Sequence, residues 1–318
     1  MESHSFDNLG AVERPTDSRD FGLATYQQPV ALPDTFFTQL SVPVYYQGKY
    51  GTCGAHAGAT LDSTLYNKAL SPKYLWKQIK LIDGFPVDVG TDMRSIMKSL
   101  LNTGDCSLAL SPNDLGASIT DYTDPTQLTD AMKKDAYPND ITGYAFIDRP
   151  TWQDVKQAIY QNRVVIARVR CGDGWWKDKN GNGSWAEKDV LPLRLGTYAS
   201  GHFIVLIGYD TTYIYFRNSW SSDWGRGGDG YFALSYLPNV LELGTALALP
   251  APFLFTKDLW LGQKNNDVLQ LQKRLGVLQT AFFGPLTFAA VRAYQTSKGI
   301  INTGFVGPLT RAALNATL

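Results

Sequence analysis

Three cysteines in 318 residues, Cys53, Cys106 and Cys171, are too few for a disulfide scaffold. No CxxC pair occurs, which excludes a zinc ribbon and a thioredoxin-type redox site. Also missing is any apolar run of about 18 residues, so no helix is expected to span a membrane. Neither charge sign is in excess, because 29 basic and 29 acidic side chains cancel. That argues against electrostatic capture of nucleic acid or of an anionic membrane surface. Charged residues are scarce at 18%, while hydrophobic ones reach 44%. The disordered class is thereby excluded, and the chain can bury a sizeable core. The opening stretch "MESHSFDNLGAVERPTDSRD" has neither a basic n-region nor an apolar h-region. The expectation is a cytosolic chain, one whose signal has been removed, or one exported by another route.

What is present suggests two domains. Residues 1–20 are polar and aperiodic and read as a flexible N-terminal arm. Residues 21–250 mix helix and strand signals without regular βα alternation, which points to an α+β class. Thr151 is a good N-cap, and Val155, Ala158 and Ile159 fall on one face of the helix behind it. "VVIARVR", "HFIVLIGY" and "YIYFRNSW" read as strands. Two prolines in "ALALPAPFLFTK" mark a linker at 251–257. Beyond it, residues 258–318 read as three short helices. The first carries Val268, Leu271, Leu275 and Leu278 at helical spacing. "FGPLTFAAVRAYQ" and "VGPLTRAALNATL" then repeat one pattern, starting at Phe283 and Val306.

Chemistry-bearing residue types concentrate in "QGKYGTCGAHAG", in "SGHFIVLIGYD" and in "RNSWSSDWGRGGDGYF". A cysteine nucleophile needs a base, a group to orient that base, and donors for an oxyanion. Cys53 follows a Gly-containing loop and heads a run of small residues, as a helix N-terminus in a crowded site would. A thiol there is expected to have a lowered pKa, and its own N–H can face an oxyanion. Gln47, on the loop upstream, is the candidate second donor. His202 is the candidate base and Asn218 the candidate orienter, on two strands joined by a tight turn. Trp220 is placed to shield their bond from water. His56, one turn after Cys53, competes for the base role but is read as a packed, hydrogen-bonded side chain.

Taken in order, these three blocks resemble the Cys, His and Asn blocks of papain-like cysteine peptidases. The separation of Cys53 from His202 falls in the family's window of roughly 130–150 residues. By position, the resemblance assigns Cys53 as nucleophile, His202 as base, Asn218 as orienter, Gln47 as oxyanion donor and Trp220 as shield. It implies a two-lobed fold, one lobe helical and headed by the Cys53 helix, the other a β-sheet lobe bearing His202 and Asn218. It also implies a peptide or protein substrate and no cofactor. Gly54 stands where the family usually has an aromatic, which predicts a wider, less aromatic site wall. Tyr50 replaces the usual half-cystine. The segment around Gly90 is the nearest counterpart of the substrate-binding glycines. No long pro-region is visible, and the short segment 1–30 is left as the stretch able to occlude the cleft.

Two further features complete the reading. Asp178, Asn180, Asn182 and Asp189 follow the spacing of a calcium loop, against a plain Gly/Asn-rich turn as the alternative. Cys106 and Cys171 read as two buried thiols, with pairing in an oxidising compartment as the other option. Residues 258–318 resemble the three-helix peptidoglycan-binding domain of cell-wall enzymes, which implies secretion or association with the cell envelope. A bundle that only braces the larger domain is the other reading. The functional expectation is a wall-targeted cysteine endopeptidase. A hydrolase of peptidoglycan stem peptides and an inactive wall-binding relative remain as alternatives.

Overall fold

The computed structural model describes residues 9–17, 22, 30–116, 118–175, 195–247, 255–278 and 280–315. Two compact units divide the chain, Met1–Ala248 and Leu249–Leu318. Asp178, Asn180, Asn182 and Asp189 lie outside the described residues, as do 251–254 of the expected linker.

The first unit opens with a short strand, β1 (Phe36–Phe37), and five helices: α1 (Cys53–Tyr66), α2 (Pro72–Lys80), α3 (Met93–Thr103), α4 (Ile119–Thr123) and α5 (Asp130–Ala136). Strand β2 (Tyr144–Asp148) and helix α6 (Trp152–Asn162) come next. Then follow β3 (Val165–Gly172), β4 (Tyr198–Tyr209), β5 (Tyr213–Arg217), β6 (Asp229–Ala233) and β7 (Val240–Ala246). Local chemistry sets several of these boundaries. Ser71 caps α2, whose first residue is Pro72, and Asp92 caps α3 by accepting from the Ser95 N–H. Thr151 and Asp154 form a reciprocal capping box at the start of α6.

Among the described residues the strands form one antiparallel sheet in the order β2-β7-β3-β4-β5-β6, with β1 paired to β4. Strand alternation sends β4 to two cores. Phe203, Val205 and Ile207 pack with α1, α2 and α3, while Ile204 and Leu206 pack with Val155, Ala158 and Ile159 of α6. Burial on both faces explains why "FIVLI" is an unbroken apolar run. Helix α1 is buried from Cys53 through Ser63, which its small residues permit. A Cβ on Gly58 would meet Leu75 Cδ2 at 2.7 Å and Ile96 Cγ2 at 2.9 Å. All three cysteines are buried and unpaired. Cys106 packs with Tyr74 and Ala136, and Cys171 lies in the core between sheet and α6, so the disulfide option does not arise.

The second unit holds α7 (Asn266–Leu275), α8 (Pro285–Ser297) and α9 (Pro308–Asn315) around Leu259, Val268, Leu271, Phe283, Val291, Val306 and Leu314. The sequence repeat is also a repeat of hydrogen bonds. Gln272 donates to the Phe282 carbonyl at 2.9 Å and the Thr287 hydroxyl at 2.9 Å, and accepts from the Ala281 N–H at 2.8 Å. Gln295 donates to the Phe305 carbonyl at 2.8 Å and the Thr310 hydroxyl at 2.9 Å, and accepts from the Gly304 N–H at 2.9 Å. Each buried glutamine thus ties down the loop that leads into the next helix. Leu278 departs from expectation. Helix α7 stops at Leu275, Gly276 takes a φ of 66°, and Leu278 is 70% exposed. A left-handed glycine ends the helix before the fourth apolar residue joins its face.

Candidate active site

Cys53 is the first residue of α1, and the side chain of its N-cap, Thr52, makes no capping hydrogen bond. The Thr52 side chain therefore does not answer the first-turn N–H groups. The thiol is fully buried. Burial pushes it up to about 11, against the opposing pull of the backbone N–H groups of Phe203, Gly10, Gly54 and Cys53 itself. The lowered pKa expected at a helix N-terminus is thus reversed in this form, because loss of water outweighs the helix dipole.

His202 sits on β4, one residue before Phe203. Its Nε2–H donates to Asn218 Oδ1 at 2.9 Å, and the same oxygen accepts from the Ser219 N–H at 2.8 Å. Nδ1 is buried and has no hydrogen-bond partner among the described residues, so the thiol–imidazole bond is unmade in this form. Burial drives the ring down to about 4, against the Asn218 bond. Trp220 lies over the imidazole, with centroids 4.9 Å apart and planes tilted by 31°, and Trp175 meets it edge-on at 5.7 Å. Trp175 also packs on Trp220 and Trp224, and its carbonyl accepts from the Trp224 indole N–H at 3.1 Å. The imidazole is therefore shielded by more than Trp220 alone.

Gln47 is buried on the loop before α1. Its carboxamide donates to the Tyr50 carbonyl at 2.8 Å and accepts from the Ser219 hydroxyl at 2.6 Å, while its N–H donates to the Ser219 carbonyl at 3.0 Å. Ser219, next to Asn218, thereby links the Gln47 loop to the His202–Asn218 pair. No sequence signal marked Ser219 beyond its place in "NSW".

His56 and Gly54 resolve differently. His56 Nδ1–H donates to the Thr52 carbonyl at 2.8 Å, and Nε2 accepts from Asn113 Nδ2 at 3.2 Å. Both nitrogens are engaged and burial lowers the ring to about 4, so it packs as expected. The wider wall expected at Gly54 is corrected. A Cβ there would meet Thr91 Cγ2 at 2.6 Å, Ile96 Cδ1 at 2.9 Å and Phe203 Cδ2 at 3.3 Å. The space is already filled, and the aromatic comes from β4.

The expected flexibility of the arm is not seen at residues 9–17. Ala11 N–H donates to the Gly201 carbonyl at 3.2 Å, Val12 N–H to the Thr91 carbonyl at 2.8 Å, and Thr91 N–H to the Gly10 carbonyl at 2.8 Å. The segment around Gly90 is thus an edge that binds extended backbone. Among the described residues no group of three or more His, Cys, Asp or Glu is placed to hold a metal ion, and no helix is long and apolar enough to cross a membrane.

Comparison with known proteins follows the same division. A family model described as "Peptidase_C39 like family" matches residues 39–237, and one described as "Putative peptidoglycan binding domain" matches residues 264–314. No curated protein matches the sequence. Xylellain, a cysteine protease from Xylella fastidiosa, is 22% identical with a TM-score of 0.64, covering 79% of this chain and 99% of that one. ProCathepsin B S9 from Trypanosoma congolense is 16% identical with a TM-score of 0.59, covering 78% of this chain and 88% of that one. Digestive procathepsin L 3 of Tenebrio molitor larval midgut is 16% identical with a TM-score of 0.54, covering 76% of each chain. These structures share the papain-like fold, and the three C-terminal helices fall in the region matched by the putative peptidoglycan binding domain. The chain belongs to the Peptidase_C39 like family and has a papain-like fold.

Proposed function

We propose that the enzyme is an endopeptidase working through Cys53, His202 and Asn218, and that its C-terminal unit directs it to the bacterial cell wall. The observation that carries the reading is the His202–Asn218 bond of 2.9 Å. It commits the Nε2 proton and leaves Nδ1 as the nitrogen able to accept one.

In this mechanism Nδ1 takes the Cys53 proton as sulfur attacks the peptide carbonyl. The backbone N–H of Cys53 and the Gln47 carboxamide face the oxyanion. The resulting imidazolium returns its proton to the leaving amine and the C–N bond breaks. A thioester on Cys53 remains. Water then attacks it, with Nδ1 again taking the proton, and the thiol is regenerated with release of the acid. Ser219 holds Gln47 in register with Asn218, and the tryptophans keep water from the His202–Asn218 bond.

Cleavage of the wall's own stem peptides by the same residues is the second reading, favoured by the C-terminal match. Purified sacculi and casein as parallel substrates separate the two. Release of casein peptides with intact sacculi supports the endopeptidase, and solubilised sacculi with intact casein support the second reading. Turnover of either that survives Cys53→Ala sinks both.

A further inference from the structure

Residues 81–90 join α2 to the cap of α3 through turns, without helix or strand. Packing does little to hold them, because Leu81, Ile82, Val87 and Val89 are exposed. Yet this loop ends on the edge that binds extended backbone. The Thr91 N–H donates to the Gly10 carbonyl and the Thr91 carbonyl accepts from the Val12 N–H, each at 2.8 Å. Gly90 has no side chain to keep such a backbone away, since a Cβ there would stand 1.7 Å from the Gly10 oxygen.

One side chain gathers the loop. Lys80, the last residue of α2, is 4% exposed. Its ammonium donates to the carbonyls of Pro86 at 3.0 Å, Val89 at 2.7 Å and Gly90 at 2.8 Å, which uses all three of its donors. Asp83 Oδ2 stands 3.0 Å away as counter-charge, and the centroid of the Trp76 ring lies 4.6 Å from the ammonium. A buried ammonium is costly unless it is answered in this way. The Gly90 bond matters most. The Gly90 carbonyl and the Thr91 N–H belong to one peptide unit, and in a planar trans peptide they point in opposite directions. Fixing the oxygen on Lys80 therefore aims the N–H at the bound backbone. The positive charge beside the oxygen also polarises the unit and strengthens the N–H as a donor.

We propose that Lys80 is a positioning residue for substrate: it orients and polarises the Gly90–Thr91 peptide unit, which then pairs with the backbone of the peptide to be cut. Residues 10–12 show the class of ligand this edge accepts, an extended chain recognised by main-chain atoms and not by side chains. The kinetic consequence rests on the endopeptidase reading, whereas the state of the Thr91 N–H can be followed without any turnover. Lys80→Met is combined with Asp83→Asn, so that no buried carboxylate is left without its cation.

The full-length wild type and Lys80→Met/Asp83→Asn are compared in two measurements. Amide hydrogen exchange should show the Thr91 N–H exchanging about 10-fold faster in the variant, the factor carried by one hydrogen bond to a charged group, while α1 and β4 stay protected. With a casein-derived peptide that the wild type cleaves, KM should rise about 10-fold and kcat should stay within about twofold, because binding at this edge is shared by ground and transition states. A thioamide scan of that peptide replaces one carbonyl oxygen by sulfur at a time. It should find a position whose replacement weakens the wild type about as much and the variant hardly at all. Lys80→Gln keeps an amide donor and loses the charge. It should move KM in the same direction by a smaller factor, and it carries the test if the first variant does not fold. Wild-type exchange at Thr91 overturns the proposal, as do a kcat loss without a rise in KM and an equal thioamide penalty in wild type and variant. Faster Thr91 exchange in the variant, with no peptide cleaved even by the wild type, leaves the hold of Lys80 standing and sinks the endopeptidase reading instead.

Discussion

Gly54→Ala adds one methyl group at the position where two lobes and two candidate catalytic elements converge. The new Cβ would lie 2.6 Å from Thr91 Cγ2, 2.9 Å from Ile96 Cδ1 and 3.3 Å from Phe203 Cδ2. All three are short of ordinary carbon contacts near 3.5–4.0 Å. Thr91 and Ile96 are held by α3 and its cap, and Phe203 by a strand paired on both sides, so none gives way cheaply. Overpacking of this kind costs about 1–3 kcal/mol. Removing a glycine from the body of α1 returns roughly 0.5–1 kcal/mol. A net loss of about 1–2 kcal/mol is expected in denaturant unfolding. The larger effect falls on the site. Relief of the clash has to move Cys53 away from β4, and a displacement approaching 1 Å is expected to cost about 10²-fold in turnover. Unfolding curves and peptide hydrolysis on the same preparation decide the matter. Unchanged stability together with unchanged turnover would mean that the wall beside Gly54 is open after all, and that the contacts with Thr91, Ile96 and Phe203 do not set the site.

Three further outcomes are expected. Asn218→Ala removes the acceptor that fixes the His202 tautomer, and kcat should fall by up to about 10⁴-fold while far-UV dichroism stays unchanged. Asp62 is buried with neither carboxylate oxygen hydrogen-bonded, and desolvation, aided by Asp140, raises its pKa well above the usual range. The folded state therefore holds that proton where the unfolded chain has lost it. Stability from this group should fall as pH rises above the unfolded value, and thermal melts should show Asp62→Asn flattening that slope and gaining over the wild type at pH 8. Gln272→Ala and Gln295→Ala each leave loop N–H groups unanswered, at about 1–3 kcal/mol. Calorimetry should show earlier melting of the C-terminal unit and sedimentation weaker retention on sacculi, with hydrolysis of a small peptide preserved.

The residues brought together at the site were largely visible in the sequence because each is a distinctive type in an ordered block. Cys53, His202, Asn218, Gln47 and Trp220 could all be named before any coordinates. Helix α6 was legible from Thr151 and its apolar face, and the C-terminal helices from their Gly-Pro breaks. Other features have no local signature. Residues 10–12 bind through backbone atoms alone, so "LGAVE" reads as a polar tail. Arg14 and Glu242 meet across more than two hundred residues. Trp175 acquires its role only when β3 lays its end beside β4. Gly54 misled because family habit concerns the residue at that position, whereas Phe203 fills the space from another strand. The thiol pKa was misjudged for a similar reason, since the helix dipole is local and burial is set by the tertiary fold.

Cys53 as the nucleophile is tested most directly by peptide hydrolysis in wild type against Cys53→Ala, with folding checked by thermal melting. Turnover by the wild type should vanish in Cys53→Ala. Turnover that persists without the Cys53 sulfur would contradict the assignment.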